Sequence, residues 1–228
     1  MRAAVFPASR VYYSNVLPAV KALRRYSDVE RVILTIEDDA FPGELPDWVK
    51  TVNVSGQRYF LRGSPNMRNQ YVYLCLLRVV YADLFPELDM VVALDADAIA
   101  VKPFGSALWD LDMDGLYMAG VPEPKLSAQR RYPYINMGMA VFNLAEMRKD
   151  GLPERMQEAL NTKWYQWVEQ DCLNEFCKGK TLVLGSEWNC SQFSEPCPDP
   201  FIRHFAYDRT WTQSEPFLRF ASAEWGAL

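Results

Sequence analysis

Apolar residues recur along the chain at two spacings. Residues 2–6, 31–36, 51–54, 90–94, 116–121 and 181–184 are short apolar or β-branched runs bounded by polar or proline-containing segments, the pattern of strands. Residues 134–144 read as a further strand followed by a turn. Between these runs, residues 12–25 place Val16, Val20 and Leu23 at helical spacing, and Pro18 predicts a helix start nearby or a kink. Residues 70–84 are strongly apolar and predict a helix closed by Pro86 and the acidic Glu87-Leu88-Asp89. Residues 145–160 contain helical pieces around Asp150-Gly151-Leu152-Pro153, and residues 169–177 predict a helix stopped by Gly179. Residues 125–133 read as a polar loop, and residues 186–200, with Pro196, Pro198 and Pro200, as irregular. Strand, helix and strand over residues 2–36 make a βαβ unit with a parallel pair. With no internal repeat, linker or low-complexity segment, the alternation predicts a single α/β domain.

Two of the strand runs end in carboxylates. Glu37-Asp38-Asp39 follow one, and Asp95 and Asp97 follow the run at 90–94. Open α/β sheets bind ligands at the carboxyl edge of their strands. Alternate residues share a face, so Asp95 and Asp97 can point together at one cation. Two adjacent carboxylates without a basic neighbour repel, which favours a metal between them or a raised pKa on one. Taken alone, the pair is better explained as an acidic turn at a strand end.

Composition narrows the classes. Half of the 228 residues are hydrophobic, enough for a sizeable core. The formal net charge is −5 and no Lys/Arg run stands out, so nucleic acid is not an expected partner. Cys75, Cys172, Cys177, Cys190 and Cys197 are odd in number and form no CxxC pair. They read as reduced thiols of a cytoplasmic protein, with a Cys190–Cys197 disulfide as the alternative. No segment approaches the roughly 20 apolar residues that span a bilayer, and the apolar run at residues 3–6 is too short for a signal peptide.

Five segments, in order, carry a resemblance. Arg78 is followed by VALDAD at 92–97; FGSALW lies at 104–109; YINMGMAVFNL at 134–144; EQDCLN at 169–174, with Trp188-Asn189 after it; and HFAYDRTW at 204–211. Together they resemble the "YLDxDhhV", "PLW", "YFNxGVhhhNL", "DQDxLN" with "(W/F)N", and "HFxGxxKPW" motifs of glycosyltransferase family 8, the group that includes glycogenin and bacterial lipopolysaccharide galactosyl- and glucosyltransferases. The resemblance covers roughly residues 70–211; the order and spacing of the motifs are more specific than any one of them.

The resemblance implies a single GT-A domain, a Rossmann-like nucleotide-diphospho-sugar transferase with a mixed, mainly parallel central sheet. Residues 1–110 would be the nucleotide-binding half and residues 111–228 the acceptor- and sugar-binding half. It implies a metal-dependent, retaining hexosyltransferase that takes a sugar from a nucleotide diphosphate sugar, UDP-sugar by default, to a carbohydrate or glycoconjugate acceptor. Asp95, Asp97 and His204 would hold Mn²⁺ or Mg²⁺, a mixed oxygen and nitrogen set that suits Mn²⁺. Phe6, Ala8, Tyr13, Arg78, Ala96, Glu123, Asn136, Gly138 and Arg209 would join the two aspartates in contacting the donor. Gln170 and Asp171 would lie beneath the donor sugar. There Gln170 either attacks as a weak nucleophile or stabilises an oxocarbenium-like transition state; an amide is a poor nucleophile, which favours stabilisation. Asp171 would accept from a sugar hydroxyl.

Simpler readings stand beside these: Arg78 as a solvated helix residue, Asn136 and Gly138 as turn residues, and His204 as a hydrogen-bonded histidine. The chain also departs from the family. Residues 8–13 (ASRVYY) lack the acid that contacts uracil, although Tyr12 or Tyr13 could stack on a base. The segment from His204 to Trp211 is one residue shorter than the pattern, has no Gly, and carries Arg209 and Thr210 for Lys and Pro. Arg209 keeps a bidentate phosphate donor. Two rival functions follow: a non-catalytic nucleotide- or sugar-binding protein of the same fold, and a haloacid-dehalogenase-like phosphatase. The latter wants Asp-x-Asp near the start of its core, whereas here a whole βαβ unit precedes it.

Overall fold

The computed structural model describes residues 1–68 and 73–228. Strands form at β1 (Ala3–Pro7), β2 (Arg31–Ile36), β3 (Val49–Asn53), β4 (Met90–Leu94), β5 (Ala98–Ala100), β6 (Met118–Pro122), β7 (Ile135–Asn143), β8 (Thr181–Val183) and β9 (Ile202–His204). Seven of them make one sheet in the order β3-β2-β1-β4-β7-β6-β8. The pairs β3–β2, β2–β1, β1–β4 and β6–β8 are parallel, and β7 runs antiparallel to both neighbours. This is an α/β sheet, mixed and mainly parallel as expected. The parallel β1–β2 pair is the one predicted from the strand–helix–strand pattern.

The helices are α1 (Tyr13–Tyr26), α2 (Tyr81–Leu84), α3 (Pro124–Arg130), α4 (Leu144–Lys149), α5 (Leu152–Thr162), α6 (Val168–Phe176) and α7 (Glu215–Ala221). Strand residues alternate between two cores, one on each face of the sheet. Val5, Val91, Ala93 and Phe142 enter one with α4, α5 and α6; Phe6, Val92, Leu94 and Val141 enter the other with α1 and α7. Buried apolar side chains of this size each contribute about 1.5–3 kcal/mol, so a two-faced sheet needs the near-continuous apolar strands that the sequence shows.

Several local expectations differ. α1 starts at Tyr13, ahead of Pro18, and runs through it. It lies near the helix start, where few of its neighbours' hydrogen bonds are lost, and its ring is buried. The expected loop at 125–133 is mostly α3, which opens on Pro124 at a position where a missing N–H costs nothing and ends on Arg131 in left-handed backbone. The helix expected over 70–84 is a 3₁₀ segment at Tyr73–Val80 followed by α2; its predicted start at residue 70 lies outside the described residues. The strand expected in 134–144 forms as β7, which runs straight through Asn136 and Gly138, so neither is a turn residue, and α4 begins at Leu144 where the turn was expected. Two elements after residue 200 went unread. Short β9 pairs with β5, and α7 buries Phe217 and Phe220 on the α1 face, where Lys21 Nζ donates to the Ala223 carbonyl at 2.7 Å. No helix among the described residues is long and apolar enough to cross a membrane.

Candidate functional site

A cleft of about 380 Å³ opens where β1 and β4 end, with β7 across it. Asp95-Ala96-Asp97 connect β4 to β5. The backbone N–H of Asp95 donates to the Gly138 carbonyl at 2.9 Å, which extends the β4–β7 ladder to the edge of the cleft. β5 then pairs with β9, opposing Ala98 to His204, and Phe205 N–H donates to the Asp97 carbonyl at 3.0 Å. That small sheet brings His204 from far along the chain to the two aspartates. Its Nε2 lies 3.5 Å from Asp97 Oδ1 and 3.8 Å from Asp95 Oδ2. One ligand atom from each of the three residues falls within 4.8 Å of the others, so the expected metal set is physically assembled.

Electrostatics fit a cation here. Burial lowers the His204 pKa, but the Asp97 and Asp95 carboxylates outweigh it and leave it above the ordinary value. Burial pushes Asp97 up, and His204 outweighs it and holds Asp97 below the usual carboxylate range. Gly138 is what lets the imidazole sit where it does. A Cβ on residue 138 would lie 2.0 Å from His204 Cε1 and 2.6 Å from Nε2.

Arg78 is buried, not a solvated helix residue. It donates to Asp95 Oδ1 and, from Nη1, to Glu169 Oε1 at 3.2 Å. Glu169 feels burial most and the Arg78 charge in the opposite sense, and its carboxyl is pushed up to about 7. Below this pair, β7 and α6 share a polar network. Asn136 Nδ2 and Gln170 Nε2 both donate to Glu123 Oε1, at 2.7 and 3.1 Å. Gln170 Oε1 accepts from Met137 N–H at 2.9 Å, and Asn136 Oδ1 accepts from Gly138 N–H at 2.9 Å and from Asn189 Nδ2 at 3.0 Å.

Of the residues expected to act, Arg78, Asp95, Ala96, Asp97, Glu123, Asn136, Gly138, Gln170 and His204 line this one cleft. Five do not. Phe6 and Ala8 are fully buried, leaving only backbone to offer. Tyr13 is buried with its hydroxyl donating to Asp38 Oδ2 at 2.8 Å and accepting from Glu37 N–H at 3.0 Å. Asp171 does not line the cleft: its Oδ1 accepts from Tyr134 OH at 2.7 Å and Arg130 Nη2 at 3.2 Å, and its Oδ2 accepts from Trp167 N–H at 2.9 Å. Arg209 is exposed outside the cleft.

The cleft also holds residues that the sequence reading passed over. Ser9 has a buried hydroxyl without a protein partner, Glu169 sits beside Gln170, and Trp167, Phe193 and Tyr207 supply aromatic surface. Glu169 was legible as the first residue of the EQD motif. Ser9 and the three aromatics carried no signal beyond residue type. All five cysteines are free thiols, with Cys190 Sγ donating to the Cys197 carbonyl at 3.4 Å.

Comparison with known proteins gives a concordant picture. The model of glycosyl transferase family 8 matches residues 48–195. No curated protein sequence matches the chain. Among solved structures, the bifunctional glycosyltransferase WbbM superposes with a TM-score of 0.75 at 15% identity, over 97% of this chain and 49% of WbbM. This chain thus spans about half of that relative. The galactosyltransferase LgtC, solved with donor and acceptor sugar analogues, gives 0.70 at 16% identity, over 96% of this chain and 95% of LgtC. The glycosyltransferase GlyE of Streptococcus pneumoniae TIGR4 gives 0.73 at 19% identity, over 99% of this chain and 61% of GlyE.

Proposed function

The chain belongs to glycosyltransferase family 8, and from that premise we propose a metal-dependent, retaining transferase that moves a hexose from a nucleotide diphosphate sugar, UDP-sugar by default, to a carbohydrate or glycoconjugate acceptor. One observation carries this reading: Asp95, Asp97 and His204 converge within 4.8 Å at the cleft. Two carboxylates and an imidazole are the donor set that Mn²⁺ or Mg²⁺ accepts. When bound there, such an ion supplies Lewis-acid stabilisation of the departing diphosphate.

The protein groups then have distinct tasks. Arg78 brings fixed positive charge to the cleft, and its pairing with Glu169 and Asp95 holds it in place. Glu123 and Asn136 present a carboxylate and an amide to sugar hydroxyls. Gln170 is held from both ends of its carboxamide: Oε1 accepts from Met137 N–H and Nε2 donates to Glu123. An oxygen already accepting a backbone hydrogen bond is a still poorer nucleophile, so this geometry supports stabilisation of positive charge at the anomeric carbon by a preorganised dipole. Asp171, with both oxygens occupied by protein donors, supports the α6 turn rather than the sugar. Ser9 and Tyr12, beyond the end of β1, supply a hydroxyl and a ring for the base. Five free thiols fit a reducing compartment, consistent with a cytoplasmic setting.

The test is hydrolysis of a panel of nucleotide sugars with and without Mn²⁺, together with thermal shift, since a ligand that binds only the native state raises Tm. Turnover should require the metal and vanish in Asp97→Ala. Equal turnover in the presence of chelator would remove the metal from the proposal. A folded wild-type protein that binds nucleotide sugar and turns none over would support the binding-protein reading instead.

A further inference from the structure

Residues 187–190 are zipped onto residues 201–204. Phe201 N–H donates to the Glu187 carbonyl at 2.8 Å, Cys190 N–H to the Ile202 carbonyl at 3.0 Å, and His204 N–H to the Cys190 carbonyl at 2.9 Å. Trp188 stacks on Phe201, with ring centroids 4.6 Å apart, and fixes that pairing. Asn189 is thus one residue from the carbonyl that holds the His204 backbone. Asn189 does not line the cleft, and its side chain is buried behind it.

The Asn189 and His204 side chains lie side by side on β7. Asn189 Nδ2 donates to the Asn136 carbonyl at 3.4 Å and to Asn136 Oδ1 at 3.0 Å. The His204 imidazole lies over Gly138, where a Cβ would meet its Cε1, Nδ1 and Nε2 at 2.0, 2.2 and 2.6 Å. Asn136 and Gly138 are alternate residues of one strand and share a face. The orientation of each side chain is forced. Gly138 N–H donates to Asn136 Oδ1, so Asn189 must turn its NH₂ toward that oxygen and its own Oδ1 away. His204 turns Nε2 toward Asp97 and Asp95. A ring nitrogen that ligates a cation carries no proton, so the imidazole proton then sits on Nδ1. Among the described residues, His204 Nδ1 and Asn189 Oδ1 are both buried without a hydrogen-bond partner. One is then a donor and the other an acceptor, and a buried polar group left unpaired is costly.

We propose that Asn189 is the positioning residue of the metal-site histidine: its Oδ1 accepts the Nδ1 proton of His204, directly or across one water. Outer partners of ligating imidazoles set the tautomer, the ring angle and the basicity of the ligating nitrogen. Asn189 does all three for Nε2 while its NH₂ ties the pair to Asn136. It acts only through His204. The inference rests on the metal-dependent reading above.

Calorimetric Mn²⁺ titration with UDP present tests it on two variants. Both Asn189→Ala and Asn189→Asp lose the bonds donated to Asn136, so a residue that only supports the fold would cost the same affinity in either. Asn189→Asp keeps an acceptor oxygen for Nδ1–H. Asn189→Ala should bind Mn²⁺ about 10–100-fold more weakly, and Asn189→Asp should bind it within two-fold of wild type or more tightly. Affinity within two-fold of wild type in Asn189→Ala, or equal losses in both variants, overturns the positioning role and leaves the metal site standing. A wild type that binds no Mn²⁺ overturns the metal site and this role with it. If the variants do not fold, the wild type decides by NMR with diamagnetic Zn²⁺, because His204 is the only histidine in the chain and gives a single imidazole signal. Its Nδ1–H should show cross-peaks to the Asn189 side chain or to a bound water; cross-peaks to neither overturn the role.

Discussion

Replacing Gly138 with Ala separates the metal-site argument from stability. Gly138 sits inside β7, so its Cβ is missing for reasons of space and not of turn conformation. The added carbon would meet His204 Cε1 at 2.0 Å and Nδ1 at 2.2 Å, whereas carbon contacts are favourable at about 3.5–4.0 Å, so the ring must retreat by roughly 1.5 Å. The imidazole cannot move with its backbone, because His204 N–H is bonded to the Cys190 carbonyl at 2.9 Å and β9 is paired to β5. It has to rotate away from Asp95 and Asp97. Disturbing a metal ligand through its neighbour costs about 10–100-fold in metal affinity, and a displacement of about 1 Å at a reacting centre costs about 100-fold in rate. Overpacking adds about 1–3 kcal/mol of destabilisation, or a Tm loss of about 2–4 °C per kcal/mol at this chain length. Gly120→Ala is the control: its Cβ would meet Ile135 Cγ2 at 2.4 Å, a comparable clash away from the triad. Calorimetric Mn²⁺ titration and thermal melts on both variants decide the matter. Gly138→Ala should lose affinity and Gly120→Ala only Tm. Mn²⁺ affinity within two-fold of wild type in Gly138→Ala, or equal losses in both, would refute the reasoning.

Two further outcomes follow from buried carboxylates. The Glu169 carboxyl is raised from 4.5 to about 7, so the folded state binds that proton more tightly than the unfolded chain. Its contribution to stability is complete below pH 4.5 and is lost as the pH rises through 7, on the order of 3 kcal/mol across the window. Glu169→Gln does not titrate, so urea unfolding of the metal-free variant should fall less steeply from pH 4.5 to 7 than wild type; parallel curves would contradict the assignment. Asp171→Asn keeps one acceptor oxygen for the donors from Tyr134, Arg130 and Trp167 and turns an NH₂ toward one of them. It should cost about 1–3 kcal/mol, measured as a lower Tm, with Mn²⁺ affinity within two-fold of wild type.

Strand identity was legible because burial on both faces leaves little freedom of composition. β2 and β4 were read residue for residue, and β7 was read correctly where apolar alternation and length agreed. Errors fell where tertiary contact overrides local signal. Three-residue β9 has no periodicity to detect and exists because β5 lies beside it. The short helix α7 is apolar at Phe217 and Phe220 only in relation to α1. The polar α3 has no buried residue of its own to announce it, and forms behind a proline that suits a helix start.

The site divides along the same line. Residue type and spacing pointed to Asp95 and Asp97, and the family resemblance to Gln170 and His204, since their chemistry belongs to the residues themselves. What spacing could not carry is which of a residue's atoms are already committed. Asp171 reads in the motif as well as Gln170 does, yet three protein donors occupy its oxygens and turn it into a brace for the Trp167–Val168 turn. Arg78 reads as a helix residue, yet its place between Asp95 and Glu169 makes it the charge against which the carboxylates are set. Gly138 reads as a turn residue, yet its use is to be small beside an imidazole. In each case the missing information is a partner distant in sequence. The departures after His204 follow the same logic: Arg209 keeps the chemistry of the residue it replaces but is exposed outside the cleft, while Tyr207, chemically unlike Gly, holds the left-handed backbone that Gly adopts most readily and lines the cleft.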